Sequence, residues 1–206
     1  MDLLRARAGP LHNLFVALRP DAAAATALAA AVAALRASGA TAGRWVAQSR
    51  HHLTLQFLGS HAALDTALVA RVCAAAARVR AAPFELILDR FGSFDRHSGV
   101  VWLGPTQVPA ALIALHAALV AALRQAALPL PPTQPFVPHV TVLRNAQAAF
   151  AAPCSPPVRW PVGQFMLIDS PLRPALPYRV FGCWSLADSD TGAWTGAPAA
   201  TMRRCA

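Results

Sequence analysis

Two four-residue runs of one pattern constrain this chain more than any other feature: His52-Leu53-Thr54-Leu55 and His139-Val140-Thr141-Val142. Side chains alternate along a strand with period two. Each run therefore sends an imidazole and a hydroxyl to one face and an aliphatic pair to the other. In a chain of this make-up, chance supplies an H-x-T with an apolar flank roughly 0.1–0.2 times. Two copies in matching surroundings describe an architecture instead. Each copy ends a strand–helix–strand passage, the first over residues 13–58 and the second over residues 100–142. A repeat of that kind implies two similar lobes whose polar strand faces meet across a shared cleft.

The rest of the chain fits an α+β domain organised in that way. Asn13 to Leu18 reads as a buried strand stopped by Arg19-Pro20. Asp21 can then cap an Ala-rich helix that runs to Ser38 and ends at Gly39. His52 to Leu58 is a half-buried strand and Ala62 to Arg80 a second helix. Phe84 to Asp89 and Val100 to Leu103 are strands about a glycine-containing turn. Pro109 to Leu128 reads as a third helix, with proline in its first turn. A proline-rich connection, Pro129 to Pro138, leads into the second motif strand. Val162 to Ile168 and Tyr178 to Leu186 are the last strand candidates. The expectation is one domain over residues 12–186 and a mobile tail over residues 187–206.

Two imidazoles and two hydroxyls around one pocket suit phosphoryl chemistry without a metal. With an ordinary pKa near ~6.5, one histidine can be neutral and take a proton from water. The other, protonated, can give one to a leaving alkoxide. The hydroxyls of Thr54 and Thr141 can donate to the non-bridging phosphate oxygens, and Arg144 can add a cationic fork. Strand parity strains that last assignment. Arg144 comes five residues after His139, so it faces away from the cleft unless the strand ends or bulges near Leu143. Phe15 and Trp45 are candidate base-stacking rings, with core packing as the competing use. His51 faces away from His52 and reads as a surface residue. His12, His61, His97 and His116 read as solvated or core-edge groups.

Composition narrows the chemistry by exclusion. Only 13% of residues are charged; all 18 basic residues are arginines, and the nine acids are eight aspartates and Glu85. So few carboxylates argue against a multi-carboxylate metal site or a glycosidase pair. The formal charge of +9 favours an anionic partner such as nucleic acid, nucleotide or a membrane surface. Without lysine there is no phosphate-binding loop of the G-x-x-x-x-G-K type, so ATP-driven chemistry is not expected. No stretch is long and apolar enough for a membrane span, and the first residues lack a secretory signal. The four cysteines show no C-x-x-C spacing and read as reduced cytosolic thiols. A cytoplasmic monomer with no metal and no cofactor is the expectation.

These segments resemble the two-histidine (2H) phosphoesterases. Within them they resemble the bacterial RNA 2′,3′-cyclic phosphodiesterases formerly called 2′-5′ RNA ligases (ThpR/LigT type). RWVAQSRHHLTLQFLG and PFVPHVTVLR resemble the two motif regions, and NLFVALRP the opening strand. FELILDRFGSFDR with VVWLG resembles the middle hairpin, and VGQFMLIDSPL, YRV and WSL the closing strands. The resemblance covers residues 12–186. It implies a bilobal α+β fold: two pseudo-symmetric lobes of antiparallel-rich sheet, helices outside, a central cleft. It also implies metal-free hydrolysis of RNA 2′,3′-cyclic phosphate ends to 2′-phosphates. By position, His52 would be the proton donor to O3′ and His139 the proton acceptor from water. Thr54, Thr141 and Arg144 would hold the phosphate. The alternatives are reversible 2′-5′ joining of RNA, with a hydroxyl in place of water, and a catalytically idle module that binds nucleotide or RNA ends.

Overall fold

A computed structural model of the chain describes residues 12–94, 98–132, 135–172 and 176–187. The strands are β1 (His12–Leu18), β2 (Arg44–Trp45), β3 (Leu53–His61), β4 (Phe84–Ser93), β5 (Val100–Gly104), β6 (Val140–Arg144), β7 (Ala152–Val162), β8 (Gln164–Pro171) and β9 (Arg179–Ser185). Three helices connect them: α1 (Ala22–Ala37), α2 (Thr66–Ala76) and α3 (Ala110–Gln125). Asp21 starts α1 by accepting the Ala24 N–H at 2.8 Å. Asp65 starts α2 in the same way from Ala67, at 2.9 Å, so that helix begins four residues later than its apolar pattern suggests.

The strands form one nine-stranded sheet in the order β7-β4-β5-β6-β3-β1-β8-β9, with β2 paired to β6. The order reads alike outward from its middle, since β6-β5-β4-β7 on one side answers β3-β1-β8-β9 on the other. The repeated passages β1–α1–β3 and β5–α3–β6 occupy equivalent places in the two halves. The halves are not separate sheets. They join where β3 meets β6 through the antiparallel pair Leu53–Val140.

All three helices pack on one face. Leu28 and Leu35 of α1, Val72 of α2 and Leu112, Leu115 and Leu119 of α3 share a buried cluster with Leu53, Leu55, Val140 and Val142. Burying such a side chain is worth roughly 1.5–3 kcal/mol. That preference holds the motif strands in register, because a one-residue slip would turn His52 and Thr54 into the core in place of Leu53 and Leu55. On the opposite face Phe15, Ala17, Met166 and Ile168 form a smaller cluster with Tyr178 and Cys183.

Two strands lie outside the sequence expectation. β2 has only two residues. β7 carries Pro153, Pro156, Pro157 and Pro161, and a sheet accommodates that many prolines only at an edge, where β7 lies. The expected tail begins at Ala187, whose N–H donates to the Ala81 carbonyl at 3.0 Å; residues 188–206 are outside the described residues, as is His97.

Candidate active site

The Leu53–Val140 pair is the hinge point of the site. Both side chains are fully buried on the helix side. Their neighbours His52, Thr54, His139 and Thr141 therefore share the other face, partly exposed. Antiparallel continuation of the register sets His52 toward Thr141 and Thr54 toward His139, a diagonal arrangement of two imidazoles and two hydroxyls.

Arg144 joins them because β6 bulges. Val101 of β5 pairs with Leu143, and Trp102 pairs with Thr141, so Val142 has no partner on β5. The extra residue inverts parity. Val142 and Leu143 are consecutively buried, and Arg144 emerges exposed on the Thr141 face. Its charge adds to the burial that lowers the pKa of both His52 and His139 and opposes the burial that raises that of Tyr178, so its guanidinium lies near all three.

Each imidazole is held the same way. His52 Nδ1 is 2.8 Å from the Arg50 carbonyl, and His139 Nδ1 is 2.7 Å from the Val137 carbonyl. A carbonyl only accepts, so Nδ1 carries a hydrogen in both rings and Nε2 is left to work. His52 also stacks on Phe15, with centroids 4.6 Å apart and planes at 21°. Tyr178 meets its edge, and the phenol oxygen is 3.2 Å from both Nδ1 and the Arg50 carbonyl. Arg50 lies over the Tyr178 ring at 4.6 Å and donates to Ser170 at 2.7 Å. On the other side Phe94 meets His139 edge-on at 4.8 Å.

These surroundings disfavour the charged form of both imidazoles. Burial lowers the His52 pKa to about 4; the Arg50 carbonyl partly offsets this, and the charges of His139, Arg144 and Arg50 deepen it. Burial also lowers that of His139, opposed by the Val137 carbonyl and reinforced by Arg144.

Three sequence readings change. Phe15 is 5% exposed with one face against His52, so it supports the imidazole and offers no free platform to a base. Trp45 pairs with Leu143, which points into the core, and its ring lines a cavity with Val32 and Arg36 of α1. It lies behind the sheet from the histidines and does not stack on anything bound between them. His51 is not a surface residue. It is 2% exposed beside that same cavity, with neither ring nitrogen hydrogen-bonded; burial lowers its pKa, and the nearby Val46 backbone opposes the shift. Sequence reasoning missed Tyr178, Arg50, Phe94 and Trp102 as neighbours of the site. The available signal was that Tyr178 is the chain's single tyrosine.

The model of the 2′-5′ RNA ligase superfamily matches residues 20–170. The chain belongs to this superfamily. One relative, the RNA 2′,3′-cyclic phosphodiesterase of Escherichia coli K12, is 39% identical over 112 residues. That stretch spans 54% of this chain and 61% of the relative, less than two thirds of its length. Among solved structures, Escherichia coli LigT in its apo form superposes with a TM-score of 0.72 at 31% identity, covering 87% of this chain and 99% of that one. LigT complexed with 3′-AMP gives a TM-score of 0.70 at 30% identity, with coverage of 87% and 99%. The α+β architecture with its central antiparallel sheet is thus shared with superfamily members of known structure.

Proposed function

We propose that this superfamily member hydrolyses 2′,3′-cyclic phosphodiester ends of RNA to 2′-phosphomonoesters, without a metal. One observation carries the reading. The bulge at Val142 brings Arg144 onto the face where the paired motif strands present two imidazoles and two hydroxyls. The activity of the Escherichia coli relative points the same way. A cyclic phosphate between the histidines meets hydroxyl and guanidinium donors where charge develops on its free oxygens. His139 Nε2 takes a proton from water, the water oxygen bonds to phosphorus, the P–O3′ bond breaks, and His52 Nε2–H gives its proton to O3′. The Nδ1–H to carbonyl bonds suit both roles, since a neutral ring then has its lone pair on Nε2 and a protonated ring a hydrogen there. RNA as the partner and a cytoplasmic location belong to the same proposal. Among the described residues no helix is long and apolar enough to cross a membrane.

The test is turnover of a 2′,3′-cyclic nucleotide by wild type, His52→Ala and His139→Ala in excess EDTA. Wild type should be active and both variants nearly dead. Near-normal turnover in either variant removes the paired-histidine mechanism, and loss of wild-type activity in EDTA removes metal independence. Binding without turnover would make the chain a binding module.

A further inference from the structure

In an in-line displacement the attacking and leaving oxygens lie on opposite sides of phosphorus. The ribose of a cyclic phosphate carries both O2′ and O3′, so it stays on the side of the leaving oxygen. If His52 protonates O3′, that side is the half of the sheet built from β3, β1, β8 and β9. An RNA chain continues from the 5′-oxygen of the same ribose, so the next phosphate upstream lies over that half as well. A mononucleotide has no phosphate there. The groups on the cleft face of this half therefore decide whether an RNA end is told from a single nucleotide.

The cation on that face beside His52 is Arg50. Its guanidinium carbon is 4.6 Å from the Tyr178 ring centroid, and Tyr178 meets the His52 ring edge-on at 5.6 Å. One terminal nitrogen donates to Ser170 Oγ at 2.7 Å and the other to the Leu176 carbonyl at 3.3 Å. Ser170 pairs with Asn13, two residues along from the Ile168–Phe15 pair of the cleft-face cluster, so it shares that face.

These contacts hold the guanidinium in place without neutralising it. Arg159 and Arg179 face Glu85 and Asp169, whereas Arg50 has no ion pair among the described residues. Its two hydrogen bonds leave other N–H groups of the fork to donate to an anion. The charge is felt at the active site, where it adds to the lowering of the His52 pKa. Beyond Arg50 the surface stays polar. Asn13 also pairs with Ser60, whose hydroxyl donates to it at 2.7 Å, so Ser60, Asn13 and Ser170 form one row across β3, β1 and β8.

We propose that Arg50 anchors an upstream subsite, which binds the internucleotide phosphate on the 5′ side of the cyclic end and makes the protein prefer oligonucleotide ends to mononucleotides. The inference rests on the reading above, in which His52 protonates O3′. The upstream phosphate neither gains nor loses a bond in the reaction. Its contact acts alike on bound substrate and transition state, so the preference should appear in KM and not in kcat.

The experiment measures kcat and KM of the full-length protein on three substrates. They are adenosine 2′,3′-cyclic phosphate, deoxyadenylyl-adenosine 2′,3′-cyclic phosphate, and the same dinucleotide with a neutral methylphosphonate link. Wild type should favour the charged dinucleotide over the mononucleotide by about ten-fold, the equivalent of about 1.4 kcal/mol, and the methylphosphonate should lose most of that preference. Arg50→Gln removes the charge but keeps the backbone carbonyl that holds His52. Any disturbance of Tyr178 or His52 affects all three substrates alike, so the ratio isolates the upstream contact. That ratio should fall to within about two-fold of unity. In Arg90→Gln, which removes a guanidinium 5.3 Å from the Trp102 ring on the His139 half, it should stay at the wild-type value. Four results overturn the subsite and leave the hydrolase reading standing: no dinucleotide preference in wild type, a preference that the neutral link preserves, a wild-type ratio in Arg50→Gln, or an equal loss in Arg90→Gln. No turnover of any of the three by wild type overturns both.

Discussion

His52 is expected to give up a proton, yet burial and neighbouring charges disfavour its holding one. Its pKa falls from 6.5 to about 4. A shift of that size corresponds to about 3 kcal/mol against the imidazolium, and at pH 7 leaves about one molecule in a thousand protonated there. The causes are visible: the ring is buried between Phe15 and Tyr178 and faces the charges of His139, Arg144 and Arg50. A phosphate monoanion held roughly 4 Å from the ring attracts the imidazolium by about 4 kcal/mol at an effective dielectric constant of ~20. That is enough to offset the penalty. The substrate should therefore supply the field that loads its own proton donor.

The assay is a pH titration of the histidine Cε1–H resonances by NMR, with and without saturating inorganic phosphate. In the free protein His52 should titrate near 4, and phosphate should raise its midpoint by on the order of two units. Removing a repulsive charge with Arg144→Gln should raise the free-protein midpoint as well. The kinetics should follow. The profile of kcat/KM, which reports the free enzyme, should peak on the acid side of 6.5, and that of kcat should lie at higher pH. A His52 midpoint near 6.5 in the free protein, or one that saturating phosphate leaves unmoved, refutes the reasoning.

The same shift bears on stability. The folded-state pKa of His52 is depressed below the unfolded value, so its contribution is complete above about 6.5 and is lost as pH falls toward about 4. His139 is shifted in the same direction. Urea midpoints should thus fall between pH 7 and 4.5, and less steeply in His52→Gln. Arg144→Gln should cost about 100-fold in kcat/KM on a cyclic nucleotide, with Arg144→Lys restoring only part, because a point charge does not replace a bidentate fork. Gly43→Ala should slow turnover and raise the His52 midpoint in the same direction as Arg144→Gln: its Cβ would lie 2.6 Å from the backbone oxygen of Arg144 and displace the end of β6, carrying the guanidinium away from the histidines. Tyr178→Phe removes the hydroxyl 3.2 Å from His52 Nδ1 but keeps the ring. It should move the His52 titration midpoint without changing the thermal midpoint by more than a few degrees.

What the sequence made legible is what strand periodicity controls. The alternation in residues 52–55 and 139–142 is enough to put the histidines and threonines on one face, because burial of the aliphatic partners tolerates no other register. Partners brought by distant elements were not legible. Tyr178 reaches His52 across 126 residues, and no local pattern encodes that contact. Trp45 and Phe15 were ambiguous for a related reason: an aromatic residue suits a core and a platform equally until the face it occupies is known. β7 was hidden by its prolines, which oppose a strand anywhere but at an edge, and edge position is a property of the whole sheet.

Arg144 marks the boundary between the two kinds of information. Parity applied to an unbroken strand turns it away from the histidines, and a single residue without a partner on β5, Val142, turns it back. Nothing in Val-Thr-Val-Leu-Arg signals a bulge, since valine and leucine are ordinary strand residues. Its cause lies in packing. Val142 and Leu143 are both fully buried in the same helix-side cluster, whereas regular alternation would send them to opposite faces, so burying both there requires the extra residue. The same two side chains that complete the core thereby aim the guanidinium at the cleft. Replacing Leu143 by threonine, which weakens the demand for burial there, should loosen the bulge. It should reduce activity through Arg144 even though Leu143 touches no substrate. If Leu143→Thr lowers stability but leaves the pH-independent kcat/KM unchanged, the bulge is not what positions Arg144.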